Sequence, residues 1–385
     1  MDLEVEILQS LTEIDESEWN QLGEADYPFT RHEFLLALEV NHCLIEFGWQ
    51  PVYFLLREAD TVVAAIACYI KSNEYGELVF DHSWAQAYER SGQNYYPKLV
   101  SAIPYTPATG PRFLIHRNIQ DSDQIKHLTH QLIKVIKQFC VSHQLSGWHC
   151  LFERESILKT HTDEQLLLRY DCQYHWTNKS YRDFDDFLSH LNSRKRKNIK
   201  RERASVAAED LTIIQKYGNE LSTDEWTRIH QLYAGIFERK YGTATLTKDF
   251  FQTIGNKLKK RVMVVLALND EQIIAASVFL ISDTTLFGRL WGCDEFYNHL
   301  HFECCYYQGI DYCIKKGLQR FDPGAQGEHK ISRGFLPTRT CSAHWFPDEN
   351  FHQMIKQYLS QEEQYINDYC AEQGKKSPYR KGQEA

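Results

Sequence analysis

Two stretches of this chain carry the same order of residue types 211 positions apart. Residues 51–67 read as an apolar strand, a short acidic turn and a second apolar strand through Ala64-Ala65. Residues 262–278 repeat that order, with the turn at Asn269-Asp270-Glu271 and the second strand through Ala275-Ala276. A third strand is expected next in each, at 77–80 and 285–291, followed by helical spacing from about Trp84 and about His299. A repeat over some 40 residues implies duplication of one supersecondary unit. The chain is therefore expected to form two related domains, 1–175 and 176–385. The expected fold class is α/β (α+β), with mixed sheets flanked by helices.

The remaining pattern fits. Helices are expected over 124–143, 164–170, 183–206, 223–241, 248–259, 299–316 and 350–373, with Gly317 as a C-terminal stop. Strands are expected over 148–152, 211–215, 320–322 and 339–346, and a loop over 323–337. With 13% aromatic residues the chain has too much apolar surface to stay disordered. Its 43 basic and 52 acidic residues give a net charge of -9, the wrong sign for a surface devoted to nucleic acid. Eleven cysteines, odd in number and without a CxxC pair, suit a reducing compartment. The start of the chain lacks a signal-peptide pattern, and the longest apolar run, 62–70, is too short to span a bilayer. A cytoplasmic protein without a membrane span is expected.

Three segments concentrate chemistry. Between Ser193 and Arg203, seven of eleven residues are basic and one is acidic. On a helix Arg196, Lys200 and Arg203 share a face, a candidate grip for a phosphorylated or otherwise anionic substrate. The second segment, 321–335, places Glu328, His329, Lys330 and Arg333 among Gly324, Gly327 and Gly334. Its glycines let backbone approach a ligand. Glu328 or His329 could accept a proton from an amine, and Lys330 and Arg333 could hold an anion or a developing oxyanion. The third, 94–112, is proline-rich, and its Tyr105, with Trp291 of the second half, is a candidate aromatic contact for substrate. Walker, GxGxxG, HExxH and GxSxG signatures are absent, and no metal site is expected.

In order along the chain, Ser83-Trp84-Ala85, Tyr96-Pro97-Lys98-Leu99, Pro104 to Arg112, Arg196-Lys197-Asn198-Ile199, Phe321 to Lys330, Arg333-Gly334-Phe335 and Ser342-Ala343-His344-Trp345 resemble the FemAB-like "peptidogalycan biosynthesis/recognition" family of predicted N-acyltransferases. The resemblance covers most of the chain. It implies tandem GNAT-type acyl-CoA N-acyltransferase folds and transfer of an acyl or aminoacyl group to the amine of a small molecule or peptide. The stretch 291–299, where GNAT enzymes carry an R/QxxGxG/A pyrophosphate loop, has one glycine and no such pattern. Fem-type transferases also lack that loop and take aminoacyl-tRNA as donor. Acyl-CoA and aminoacyl-tRNA are therefore both expected donors, with no tightly bound cofactor. A catalytically silent protein that recognises a cell-wall precursor or nucleotide sugar is the alternative.

Overall fold

Chain contacts divide the protein into two units, residues 1–171 with 339–368 and residues 172–338 with 369–385. The computed structural model describes residues 3–161, 165–239, 242–325 and 327–380. The first unit contains β1 (Leu3–Leu8), β2 (Trp49–Glu58), β3 (Thr61–Lys71), β4 (Lys98–Ser101), β5 (Phe113–Ile115) and β6 (Trp148–Cys150). The second contains most of β7 (Leu167–Thr177), then β8 (Leu211–Tyr217), β9 (Val262–Asn269), β10 (Gln272–Ile281), β11 (Thr285–Cys293) and β12 (Arg320–Asp322). The chain then returns to the first unit through β13 (Leu336–Trp345). A single boundary at residue 175 misses this return.

Strand order is the same in both. The first unit runs β1-β2-β3-β4-β6-β13 and the second β8-β9-β10-β11-β12-β7. In each, the first three pairings are antiparallel, the fourth is parallel and the last antiparallel. The Ala64-Ala65 and Ala275-Ala276 strands both stand third, and smaller details repeat at the same 211-residue spacing. Each hairpin closes on a two-residue turn whose first residue, Ala59 or Asp270, has positive φ. Each then carries a register shift that leaves Val63 or Ile274 unpaired. These shared irregularities support duplication more strongly than shared strands do, because a β-bulge is a specific local feature.

The units differ at the fourth strand. In the second, the register between β10 and β11 shifts at Val278/Phe279, so Arg289 is one extra, bulged residue. At the matching place in the first unit the strand is broken into β4 and β5, and residues 102–112 leave the sheet. Arg112 seals that excursion from inside, donating to the carbonyls of Ala108, Gly110, Pro111 and Leu151.

Some sequence expectations change. Residues 77–80 are not a strand. Glu77 and Asp81 are buried against the Lys98 ammonium at 2.9 and 2.6 Å, and satisfying that charge overrides the short apolar pattern. Of the helix expected over 164–170, Glu164 lies outside the described residues and 167–170 are strand, and 183–206 is two helices, Phe184–His190 and Ser193–Ala207, broken where Asn192 caps the second. The expected helix over 223–241 is observed over Thr223–Glu238, with Lys240 and Tyr241 outside the described residues. No helix among the described residues is long and apolar enough to cross a membrane.

Gly292, the lone glycine of the stretch 291–299, has a packing role. A Cβ there would lie 2.4 Å from the carbonyl carbon of Leu232, in the helix Thr223–Glu238 that crosses β11. Gly292→Ala is expected to destabilise the protein by about 1–3 kcal/mol, as overpacking against backbone does. Urea unfolding checks this, with Gly374→Ala, at a site with nothing within 4 Å, as a control that does not lower the midpoint.

Candidate active site

In the second unit β11 and β12 pair only over Thr285–Phe287 and Arg320–Asp322. Beyond Asp322 the chain meets Pro323, which cannot continue the ladder, and the two parallel strands part. Crevices beyond the carboxyl ends of parallel strands are where α/β sheets bind ligands. The residues at this opening form one connected set.

Asp322 is its centre. It is buried, accepts from Arg289 Nη2 at 3.0 Å and from the Gly324 N–H at 2.8 Å, and lies 3.8 Å from His175 Nε2. Burial alone would raise its pKa, but the Arg289 charge, His175 and the Gly324 N–H outweigh burial and keep the carboxyl below its ordinary value. The bulge in β11 is what aims Arg289 at it. Burial lowers His175 to about 4, so its ring is neutral at pH 7.

The turn Glu328–Arg333 is a short 3₁₀ segment bounded by Gly327 (φ 113°) and Gly334 (φ 100°). It separates the four residues read from the sequence. Lys330 points inward, is 3% exposed, and donates to the carbonyls of Gly324 and Ala325 at 2.7 and 3.0 Å. Burial lowers it to about 8 despite the attraction of Asp322. His329 stays at the surface, with Nε2 2.9 Å from the Tyr306 hydroxyl. Desolvation, then the Arg333 and Lys330 charges, depress its pKa. Glu328 faces solvent and accepts from Tyr369, Gln373 and Lys376. The Tyr369 hydrogen bond and then Lys376 favour its carboxylate.

Arg333 is buried and bonded throughout. It pairs with both oxygens of Glu202 at 3.0 Å, donates to the Tyr307 hydroxyl and the His329 carbonyl, and lies 3.4 Å from the centre of the Phe302 ring. Glu202 belongs to the basic helix, so that helix and the turn carrying His329 are tied together. Arg203 is spent on Glu303 in a two-fold pair and stacks on Phe184. Lys200 pairs with Asp185 in solvent, while Arg194, Lys197 and Arg201 are exposed and Arg196 half-buried. Trp291 is half-buried and meets the edge of His301, which burial holds at about 4. Tyr105 lies in the first unit, within the excursion 102–112, and donates to the Cys43 carbonyl. Of the expected residues, His329, Lys330 and Arg333 come together. Asp322, Arg289, His175, His301 and Tyr306 join them; of these only Asp322 falls in a segment singled out from the sequence, 321–335, and the others lie in strands and a helix without a site motif.

Residues 10–381 match the profile of a family described as "Peptidogalycan biosysnthesis/recognition". The chain belongs to the FemAB-like family. This FemAB-like chain is similar in structure to the C-terminal domain of a putative lysylphosphatidylglycerol synthetase from Agrobacterium fabrum, at 10% identity and TM-score 0.54, covering 91% of this chain and 97% of that one. It is also similar to FemX, at 9% identity and TM-score 0.50, covering 83% and 93%. No curated protein matches it. With its duplicated strand order, this is a tandem GNAT-like fold.

Lys330 gives a test by linkage. Its folded-state pKa, about 8, lies below the 10.5 of an ordinary lysine. Between those values the unfolded chain binds the proton more tightly, so this residue's contribution to stability rises with pH. Relative to Lys330→Met, the native protein should gain roughly 3 kcal/mol from about pH 7 to about pH 10.5. Denaturant unfolding of both proteins across that range measures the difference.

Proposed function

We propose that this FemAB-like protein is an N-acyltransferase that moves an acyl or aminoacyl group onto a substrate amine in the cleft of its second unit. The observation that supports it best is the pairing of two cations, Arg289 and Lys330, with a neutral imidazole, His329, around the opening between β11 and β12. Amine attack on an activated carbonyl needs both. A cation stabilises the tetrahedral oxyanion, and an unprotonated base takes the ammonium proton as the C–N bond forms and the donor oxygen or sulfur leaves. His329 suits the base because it meets solvent and its depressed pKa leaves it unprotonated at pH 7. Glu328, the alternative acceptor, is held as a carboxylate by Tyr369 and Lys376 and is read as a wall of the cleft.

The donor is an aminoacyl-tRNA or an acyl thioester, and the basic helix is read as its anion grip. The loop after β11 offers Asp294, bound to Arg228, and Glu295 where a pyrophosphate loop would sit, which favours a donor held elsewhere. Arg196 and Lys200 are the helix residues assigned to that grip, and Trp291 a substrate contact beside His301. The recognition reading keeps one supporting observation. Lys330 already spends its ammonium on two backbone carbonyls, as a structural residue would.

Incubating the protein with labelled acyl-CoA and aminoacyl-tRNA plus amine acceptors decides between them, because a recognition protein retains ligand and releases no product. For a transferase, His329→Asn should lower kcat by roughly 10²–10⁴-fold with KM nearly unchanged. Full turnover in that variant would exclude His329 as base. Arg196→Glu with Lys200→Glu should weaken donor binding and flatten its salt dependence, steeply for tRNA and shallowly for a small anion.

A further inference from the structure

The first unit has its own crevice at the place matching the cleft of the second. It opens just beyond β6, the fifth strand of its unit as β12 is of the other. In both units the second residue past that strand has positive φ, Phe152 at 56° and Gly324 at 86°. A non-glycine residue held there is a backbone position kept by its surroundings. The Phe152 N–H donates to the Ser342 hydroxyl of β13 at 3.1 Å.

The chemistry differs from that of the second unit. Cys150 stands at the position of Asp322, so the cation–carboxylate pair there has no counterpart. Instead the crevice, of about 220 Å³, is lined by Val79, Phe80, Phe152 and Ile366 together with the ion pair Arg169–Glu362 and Asp171. That volume is below the roughly 300–1,000 Å³ of pockets for drug-sized ligands, so its occupant is small. Arg169 donates to the two oxygens of Glu362 at 2.9 Å each and to the Phe80 carbonyl at 2.9 Å. Its guanidinium lies 4.5 Å from the centre of the Trp84 ring, which fixes its plane. Of its five N–H groups those bonds use three, leaving two for a ligand. The Glu362 carboxylate, which also accepts from Tyr358, retains acceptor capacity. Both side chains are about one-seventh exposed, at 14% and 15%.

We propose that this crevice binds a free apolar α-amino acid. A zwitterion has one group for each partner of the ion pair, its carboxylate for Arg169 and its ammonium for Glu362, in an alternating square of charges, and Asp171 adds a further carboxylate that favours the ammonium over a bare anion. Its side chain then lies among Val79, Phe80, Phe152 and Ile366. A simple anion would meet the Glu362 carboxylate and a simple amine the Arg169 guanidinium, so only a ligand carrying both charges avoids a like-charge contact. The assignment is independent of the reaction proposed for the second unit.

Isothermal titration of the full chain with L-leucine tests it. Saturable binding is expected, with N-acetyl-leucine and leucinamide, each missing one charge, weaker by at least about tenfold. Glu362→Gln should weaken leucine by a similar factor and, by removing the like charge, tighten N-acetyl-leucine. Phe80 is 55% exposed, so Phe80→Ala spares the fold, and it should weaken leucine while leaving glycine unchanged. Absence of saturable binding by the native protein overturns the proposal. So does equal affinity for leucine and N-acetyl-leucine. Glycyl-leucine binding as tightly as leucine would assign the crevice to peptide termini and overturn the free amino acid as ligand.

Discussion

The buried carboxylate of Asp322 organises the end of β12 and the loop that follows it in the second unit. A carboxylate without compensation would be neutralised by burial, so it must be met by charge and hydrogen bonds. The partners it takes are the ones that shape the opening. Arg289 is drawn out of the strand register onto Asp322, and the Gly324 N–H is turned back onto it. The carbonyls of Gly324 and Ala325 then receive Lys330, and Lys330 in turn anchors the 3₁₀ turn that displays His329. Each step follows from satisfying a buried polar group. Replacing Asp322 by an apolar residue would therefore leave Arg289 and the loop backbone without the group that orders them.

Duplication followed by divergence accounts for the contrast between the units. The inherited features are backbone features: strand order, the two-residue hairpin turns at Ala59 and Asp270, and the unpaired residues Val63 and Ile274. The fourth strand diverges. One added residue in the second unit brings Arg289 onto the buried Asp322, whereas the excursion of residues 102–112 in the first is closed by Arg112, whose guanidinium is consumed by backbone carbonyls. The same residue type thus pairs with a buried carboxylate in one unit and with backbone carbonyls in the other.

The basic helix shows why a charge run is a weak guide to binding residues. Arg203 looks equivalent to Arg196 in the sequence, yet it is held by Glu303 and Phe184, while Arg196 is half-buried on the same helix. Glu202, the one acid in the run, is the residue that joins this helix to the turn bearing His329, through Arg333. Arg333 was a reasonable candidate for an anion contact, but its N–H groups are taken by Glu202, Tyr307, Ser332 and the His329 carbonyl. It positions the turn.

Local periodicity and the 211-residue repeat sufficed for the tandem α/β fold, the hairpins, most helices and the loop that carries His329 and Lys330. Those are properties of sequence neighbours, where side-chain alternation and turn residues act directly on the backbone. Failures came where a distant partner decided the outcome. Glu77 left the expected strand for Lys98, and residues 339–368 returned to the first unit because β13 pairs with β6. Arg289 is a lone cation between apolar neighbours, His175 and His301 sit among other polar residues with no spacing that marks a site, and Asp322, although it lies in the segment 321–335, has no partner within that segment that reveals its role. Their roles arise only when a one-residue bulge, a parted pair of parallel strands and burial bring them to one place. The sequence by itself determined the repeated unit and the composition of the loop. Tertiary structure decided which charges are spent on partners within the protein, because burial sets the energetic demand for a partner and burial is a property of the folded chain.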